Sequence, residues 1–123
     1  MIDVLLDSVI LIDHFNGIPA ATAYLKNTEG FCAISVITRA EVLAGLDSVG
    51  VQLALPLIER FTTLEINAEI ADRAAVLRRT HRWKLPDAFQ AALAKHHNLK
   101  LVTRNTRDFP PNSFDFVVIP YEL

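Results

Sequence analysis

Acidic side chains that could share one metal ion stand at three widely separated positions of this chain. Asp7 follows a short apolar run, Glu41 lies between alanine and valine, and Asp87 follows a proline. Carboxylates gathered in one cleft raise each other's pKa, and a bound divalent cation reverses that penalty. Oxygen ligands without cysteine or histidine suit Mg²⁺, with Mn²⁺ as a substitute. These three residues are therefore the candidate metal ligands.

Five more polar residues could complete a catalytic site around those carboxylates. Asn105 and Asp108 follow a later apolar run and could add an amide and a fourth acid. Ser8, Thr103 and Arg104 are candidates to position a phosphate or a water molecule. Each position also has a structural interpretation, because acids and hydroxyls at such places often stabilise helix N-termini or turns. Only the joint arrangement of these residues can decide between the two interpretations.

The elements that must position these residues follow from the apolar pattern. Short apolar runs predict buried strands, and an apolar period near 3.6 residues predicts helices, with Ser35 as an N-cap and Pro86 in a first turn. The predicted strands are Val4–Leu6, Phe31–Ile34, Thr62–Ile66, Leu99–Thr103 and Phe116–Ile119. The predicted helices are one starting within Ser8–Ile12, then Ala20–Leu25, Val36–Leu46, Val51–Phe61 (carrying Pro56), Ala68–Thr80 and Asp87–His97.

Alternating strands and helices, with strands too short and apolar to show a solvent face, predict a three-layer α/β/α sandwich around a mostly parallel sheet. Functional groups in such sheets collect just past the C-terminal ends of the strands. Asp7 and Asn105 each lie just past a predicted strand. The length of 123 residues and the lack of any linker-like segment predict a single domain over residues 1–123.

Composition excludes several other classes of protein. Half of the residues are hydrophobic, so a core can form without staples, and the single cysteine, Cys32, cannot form an internal disulfide. No secretory signal and no run long enough to span a bilayer is present, and we expect a reducing, cytoplasmic setting. The net charge of −2 does not favour non-specific binding of nucleic acid. One basic cluster could contact RNA or form a solvated helix face: Arg73, Arg78, Arg79, Arg82 and Lys84.

Four sequence blocks resemble, in the same order, the four motifs of PIN-domain proteins, and most of all the VapC toxins of toxin–antitoxin pairs. The blocks are Leu5–Asp13, Ile34–Gly45, Leu85–Ala92 and Leu101–Phe109. The resemblance implies a PIN fold and a Mg²⁺- or Mn²⁺-dependent endoribonuclease that cleaves RNA by metal-activated water. It also implies a cognate VapB-type antitoxin and a homodimer.

The resemblance assigns roles to particular residues. Asp7, Glu41 and Asp87 match the acidic metal-site positions of the family. Asn105 falls where many members carry a fourth acid, and an amide adds no negative charge. The resemblance therefore favours one firmly bound cation over two, with Asp108 as a supplementary acid. The apolar helices Ala20–Leu25 and Val51–Phe61 could offer a groove to a helical antitoxin segment or to a second copy.

Three other interpretations remain open from the sequence. A PIN fold with an idle site could act as an interaction module for protein or RNA, and Asn105 is the residue that favours it. A metal-independent nuclease could use a histidine pair, but His96 and His97 would point about 100° apart on a helix. A receiver domain also places acids at strand ends, yet here no acidic pair adjoins the first strand.

Overall fold

The computed structural model describes residues 1–123, and its central feature is a five-stranded parallel sheet with helices on both faces. The elements in chain order are β1 (Val4–Leu6), α1 (Ser8–Phe15), α2 (Pro19–Asn27), β2 (Cys32–Ser35), α3 (Val36–Ala44), α4 (Ser48–Ile58), β3 (Thr62–Leu64), α5 (Ala68–His81), α6 (Leu85–His96), β4 (Lys100–Val102) and β5 (Val117–Val118). This arrangement confirms the predicted α/β/α sandwich.

The strands lie in the order β3-β2-β1-β4-β5, and every neighbouring pair is parallel. The prediction of a mostly parallel sheet is confirmed, and the sheet contains no antiparallel pair. Strands β2 and β3 lie on one side of β1, and the later strands β4 and β5 lie on the other side. The C-terminal ends of β1 and β4 are thus neighbours at the point where the strand order reverses, which is where parallel sheets bind ligands.

Neighbouring residues of one strand pack into opposite faces of the sheet. Leu5 belongs to the core beneath α5 and α6, where Phe109 and Leu101 are also fully buried. Leu6 belongs to the other core, which contains Ile10 of α1 and residues of α3 and α4. Because side chains alternate along a strand, a strand covered on both faces must be apolar at every position. This explains the uninterrupted apolar runs of the sequence.

Side-chain caps set several helix starts, including one that the apolar pattern misplaced. Ser35 caps α3 as predicted, with its hydroxyl accepting a hydrogen bond from Thr38 N–H at 3.0 Å. Helix α4 begins three residues earlier than predicted, because the Asp47 carboxylate accepts a hydrogen bond from Gly50 N–H at 2.7 Å. Strand β3 ends at Leu64, two residues early, and the chain then turns into the helix capped by Asn67. The helix α4 continues through Pro56 to Ile58.

Two features bear on the lone cysteine and on the helices of the chain. Cys32 is a free, buried thiol in β2, and its Sγ lies 3.2 Å from the Thr28 hydroxyl oxygen. None of the helices combines the length and the apolar character that crossing a membrane would require.

Candidate active site

The C-terminal end of β1 carries Asp7, which lies next to the end of β4. Its backbone N–H donates to the carbonyl of Val102, and its own carboxylate caps α1 by accepting the Ser8 N–H at 2.8 Å. The second carboxylate oxygen accepts the Thr103 hydroxyl at 2.7 Å. Asp7 is only 6% exposed, and both of its carboxylate oxygens are held by hydrogen bonds within the chain. Burial raises the pKa of Asp7, and these hydrogen bonds oppose that rise.

An open pocket of about 440 Å³ lies over this strand end, and its lining is almost entirely polar. It brings together six residues that the sequence singled out, from β1–α1, α3, α6 and the segment after β4: Asp7, Ser8, Glu41, Asp87, Arg104 and Asn105. Val9, Thr106 and Arg107 complete the lining. Residues up to about a hundred positions apart in sequence therefore meet at one edge of the sheet.

Asp87 reports how strongly the acids of this pocket interact. It lies in the first turn of α6 and is half-buried. Burial, followed by the charges of Asp7 and Asp108, raises its pKa from 3.8 to about 6, and Glu41 adds to the rise. Like charges close together in a partly dry site raise pKa in this way, and a bound cation would lower it again.

Thr103 and Asp108 lie behind the pocket, not on its wall. Thr103 is fully buried, and its hydroxyl is engaged with Asp7 and with Asn105 N–H at 3.0 Å, so its role in positioning a phosphate or a water molecule stays a prediction. Asp108 accepts a hydrogen bond from the Asn105 amide at 3.0 Å, and its charge contributes to the raised pKa of Asp87. The amide at position 105 thus holds an acid beside the pocket.

An ion pair that sequence analysis missed supports one wall of the pocket. Arg104 donates from Nε and Nη2 to the two carboxylate oxygens of Asp13, both at 2.8 Å, and the Tyr121 hydroxyl donates to the same carboxylate at 2.8 Å. We call these three residues the Arg104 clamp. Arg104 holds the pKa of Asp13 below its usual range. Only a weak signal in the sequence pointed to this ion pair. Asp13 is a single acid on the face of α1 that is otherwise buried.

Gln90 is a second residue that sequence analysis missed. It is buried under the site, and its Nε2 donates to the Thr38 hydroxyl at 2.6 Å. The same amide group lies close enough to Asp7 to lower the pKa of that acid. Its Oε1 is buried without a hydrogen-bond partner, which is costly in a protein interior. A glutamine among the alanines of α6 was the available signal.

The residue types of the pocket fit a hard divalent cation, because its acids and its asparagine offer oxygen atoms as metal ligands. The acids line the pocket separately, and no three His, Cys, Asp or Glu side chains converge into a ready-made metal site. Glu41 is exposed and its carboxylate makes no hydrogen bond in the chain, so it is free to reorient. None of the four histidines lines the pocket, and His96 and His97 lie at the end of α6.

Comparison with known proteins agrees with this geometry. The family model of the PIN domain matches residues 4–111, which include every residue of the pocket. The chain belongs to the PIN-domain family. The resemblance that the four sequence blocks predicted is therefore confirmed.

Individual relatives point to one branch of PIN-domain proteins. The chain is 34% identical over 114 residues to "Ribonuclease VapC10" of Mycobacterium tuberculosis, covering 87% of this chain and 86% of the relative. A toxin–antitoxin complex from Klebsiella pneumoniae contains a chain that is 38% identical, with a TM-score of 0.90, covering 98% of this chain and all of the other. The DNA-bound VapBC of Salmonella typhimurium contains a chain with the same fold, at a TM-score of 0.78, 21% identity and coverage of 89% and 91%.

Proposed function

We propose that this chain is a metal-dependent endoribonuclease and the toxin of a VapBC-like toxin–antitoxin pair. The observation that carries the proposal is the pocket lined by Asp7, Glu41 and Asp87 at the C-terminal edge of the sheet. The similarity of the chain to a relative named as a ribonuclease supports the reaction class. Mg²⁺ is the proposed cofactor, with Mn²⁺ as a substitute, because hard oxygen donors favour both.

Asp7, Glu41 and Asp87 are the proposed holders of the cation, directly or through water. A divalent cation bound there would polarise a phosphodiester and lower the pKa of a nearby water molecule. Thr103 and the Ser8 N–H keep the Asp7 carboxylate in one orientation, which removes a cost of organising the site. Removing hydrogen-bond partners of this kind commonly lowers metal affinity or activity by about tenfold to a hundredfold.

Proton transfer and substrate positioning fall to the remaining polar residues. One of the carboxylates that line the pocket is the proposed acceptor of the proton that an attacking water loses, and Asp108, held by the Asn105 amide, is the proposed supplementary acid behind it. Ser8 and Arg104 line the pocket and are the proposed contacts for the phosphate. Because Asn105 brings no negative charge, we propose a single firmly bound cation.

The antitoxin is the proposed partner of a second, less polar cavity. This cavity of about 500 Å³ is lined by Leu25 of α2, Leu57 of α4 and Phe61 just after α4, and also by Lys26 and by Arg60, which forms an ion pair with Glu29 of the same lining. Its lining includes residues of α2 and α4, the two helices proposed to supply a groove. A helical segment with an apolar face would match the apolar part of this lining, and an acidic residue beside that face would pair with Lys26.

A homodimer and a cytoplasmic setting complete the proposal. Val49 and Leu53 are one turn apart on α4 and expose 63% and 76% of their surface, which offers an apolar contact to a second copy. The free, buried Cys32 is compatible with a reducing compartment. Both cores use the same sheet, so we treat residues 1–123 as one domain.

The test is cleavage of a single-stranded RNA by the purified chain with Mn²⁺ or Mg²⁺, compared with the Asp87→Asn variant. We expect the variant to lose at least about 100-fold in rate, since a proposed ligand is lost. Asp3→Asn is the matched control, because Asp3 is exposed and lies outside the pocket. EDTA should abolish cleavage, and added Mn²⁺ should restore it.

The idle interaction module is the second candidate, favoured by Asn105 and by the separation of the acids in the pocket. It predicts no cleavage by the wild-type chain under any metal condition. Cleavage that resists EDTA, or that survives Asp87→Asn unchanged, would contradict the proposed metal site. Loss of an EDTA-resistant activity in variants of His96 or His97 would instead support a histidine nuclease.

A further inference from the structure

Only part of the Arg104 guanidinium is engaged within the Arg104 clamp. Nε and Nη2 both donate to Asp13, whereas Nη1 makes no hydrogen bond within the chain. The Asp13 side chain is 7% exposed, but that of Arg104 is 31% exposed, and Arg104 lines the acidic pocket. The Asp13 end of the pair is thus buried, whereas Arg104 stays partly exposed in the lining of the pocket.

The clamp joins three parts of the chain at the wall of the pocket. Asp13 belongs to α1, whose first turn begins beside Asp7, and Tyr121 follows β5. Arg104 directly follows Thr103, whose hydroxyl holds Asp7. The position of the guanidinium is therefore tied to the position of the carboxylate at the centre of the site.

We propose that Arg104 binds a phosphate of the RNA through its Nη1 edge, and that Asp13 and Tyr121 are the positioning residues that present this edge. The inference rests on the proposed function, since it assumes an RNA substrate in the pocket. A guanidinium can bind a carboxylate with one edge and a phosphate with another, which an ammonium group cannot match.

Prior fixation of the side chain is what the clamp contributes. A long arginine side chain loses rotamer freedom when it binds a ligand, and holding it in advance removes that cost from the binding step. Arg107 also lines the pocket, but it is exposed and forms no ion pair with any carboxylate. Arg104 is therefore the cation that this pocket prepares for an anionic substrate, next to acids that would otherwise repel it.

Equilibrium binding tests the phosphate contact without relying on cleavage. The probe is a short fluorescein-labelled single-stranded RNA, measured by anisotropy in EDTA over a range of KCl concentrations. We expect Arg104→Gln to raise Kd about tenfold and to reduce the slope of log Kd against log salt by about 0.7, the value for one phosphate contact on a single strand. Arg104→Lys should restore the slope but only part of the affinity.

Steady-state cleavage with Mn²⁺ tests the positioning role of Tyr121. We expect Tyr121→Phe to raise KM about threefold with kcat and salt slope unchanged, because it removes one support and no charge. The matched controls are Tyr24→Phe, which removes the hydroxyl of the other tyrosine, and Arg39→Gln, which breaks a surface ion pair with Glu59. Neither control residue lines the pocket.

The outcomes separate a substrate contact from a merely structural ion pair. Arg104→Gln leaves the buried Asp13 without its cation and will lower Tm, so the double variant with Asp13→Asn is measured beside it. If both variants melt earlier but keep the wild-type Kd and salt slope, the proposal is overturned. A wild-type KM in Tyr121→Phe would overturn the positioning role. If the wild-type chain binds RNA but does not cleave it, the proposed function fails while the anisotropy data still decide the Arg104 contact.

Discussion

Replacing Asp87 with asparagine should stabilise the metal-free protein at neutral pH, although it removes a residue of the active site. In the folded chain the ionised Asp87 is half-buried and lies close to Asp7 and Asp108. An amide of nearly the same shape escapes the repulsion between these acids. The variant therefore separates the electrostatic strain of the site from its catalytic use.

The size of the effect follows from the pKa of Asp87, which rises from 3.8 to about 6. Two pKa units correspond to roughly 3 kcal/mol, and partial exposure to solvent reduces this to about 1–2 kcal/mol. Losing a negative charge from the first turn of α6 costs about 0.3–1 kcal/mol in the other direction. The net gain of about 1 kcal/mol corresponds to a rise in Tm of roughly 4 °C for a chain of this length.

Thermal unfolding followed by circular dichroism in EDTA measures this gain, and its pH dependence gives the sign. The folded-state pKa of Asp87 is raised above the unfolded value, so ionising this group costs stability as pH rises from about 4 through about 6. The wild-type chain should lose this increment over that window, and the variant should not. The difference in Tm should be full near pH 7.5 and small near pH 4.5.

Glu69→Gln is the matched control, because Glu69 is an exposed acid in the first turn of α5, away from the pocket. It should lower Tm slightly, through loss of its charge near the helix N-terminus and of its pair with Arg73. If Asp87→Asn behaves like this control and loses stability at neutral pH, Asp87 acts as a helix-stabilising residue. The reasoning about repulsion in the pocket would then be wrong.

Three further substitutions probe other parts of the molecule. Thr103→Val removes the hydroxyl that holds Asp7, and we expect a loss of about tenfold to a hundredfold in kcat/KM with Mn²⁺, whereas unchanged kinetics would show that this hydrogen bond is dispensable. Phe109→Ala empties a fully buried position and should lower the free energy of unfolding by about 3–5 kcal/mol in urea titration. Leu53→Lys should leave Tm within about 2 °C and convert the proposed dimer into a monomer in light scattering, because Leu53 is exposed on α4.

The strands and most helices could be predicted because their signals are local. Val4–Leu6 has the predicted bounds, since each of its side chains must enter a packed layer. The start of α4 was misplaced because the deciding contact, from Gly50 N–H to Asp47, involves polar residues outside the apolar pattern. Local chemistry of this kind is visible in the sequence once caps are given as much weight as apolar spacing.

The supports of the site were not predictable, because their partners are distant in sequence. Asp13 of α1 bonds to Arg104 and Tyr121, which follow β4 and β5, and Gln90 of α6 bonds to Thr38 of α3. Sequence motifs named the pocket residues themselves, since those residues recur as a pattern. Nothing in a single sequence distinguishes a buried acid with a distant arginine from an acid at a helix surface.

The division of the interior into two cores, separated by the sheet, has a consequence for how substitutions combine. A residue beneath α5 and α6 and a residue beneath α1 and α4 have no common packing neighbours. Their effects on folding free energy should therefore add, as independent sites do. Residues around Asp7 should behave differently, because this edge joins elements from both layers. Non-additive effects between substitutions should therefore be largest around Asp7, where elements from both layers meet.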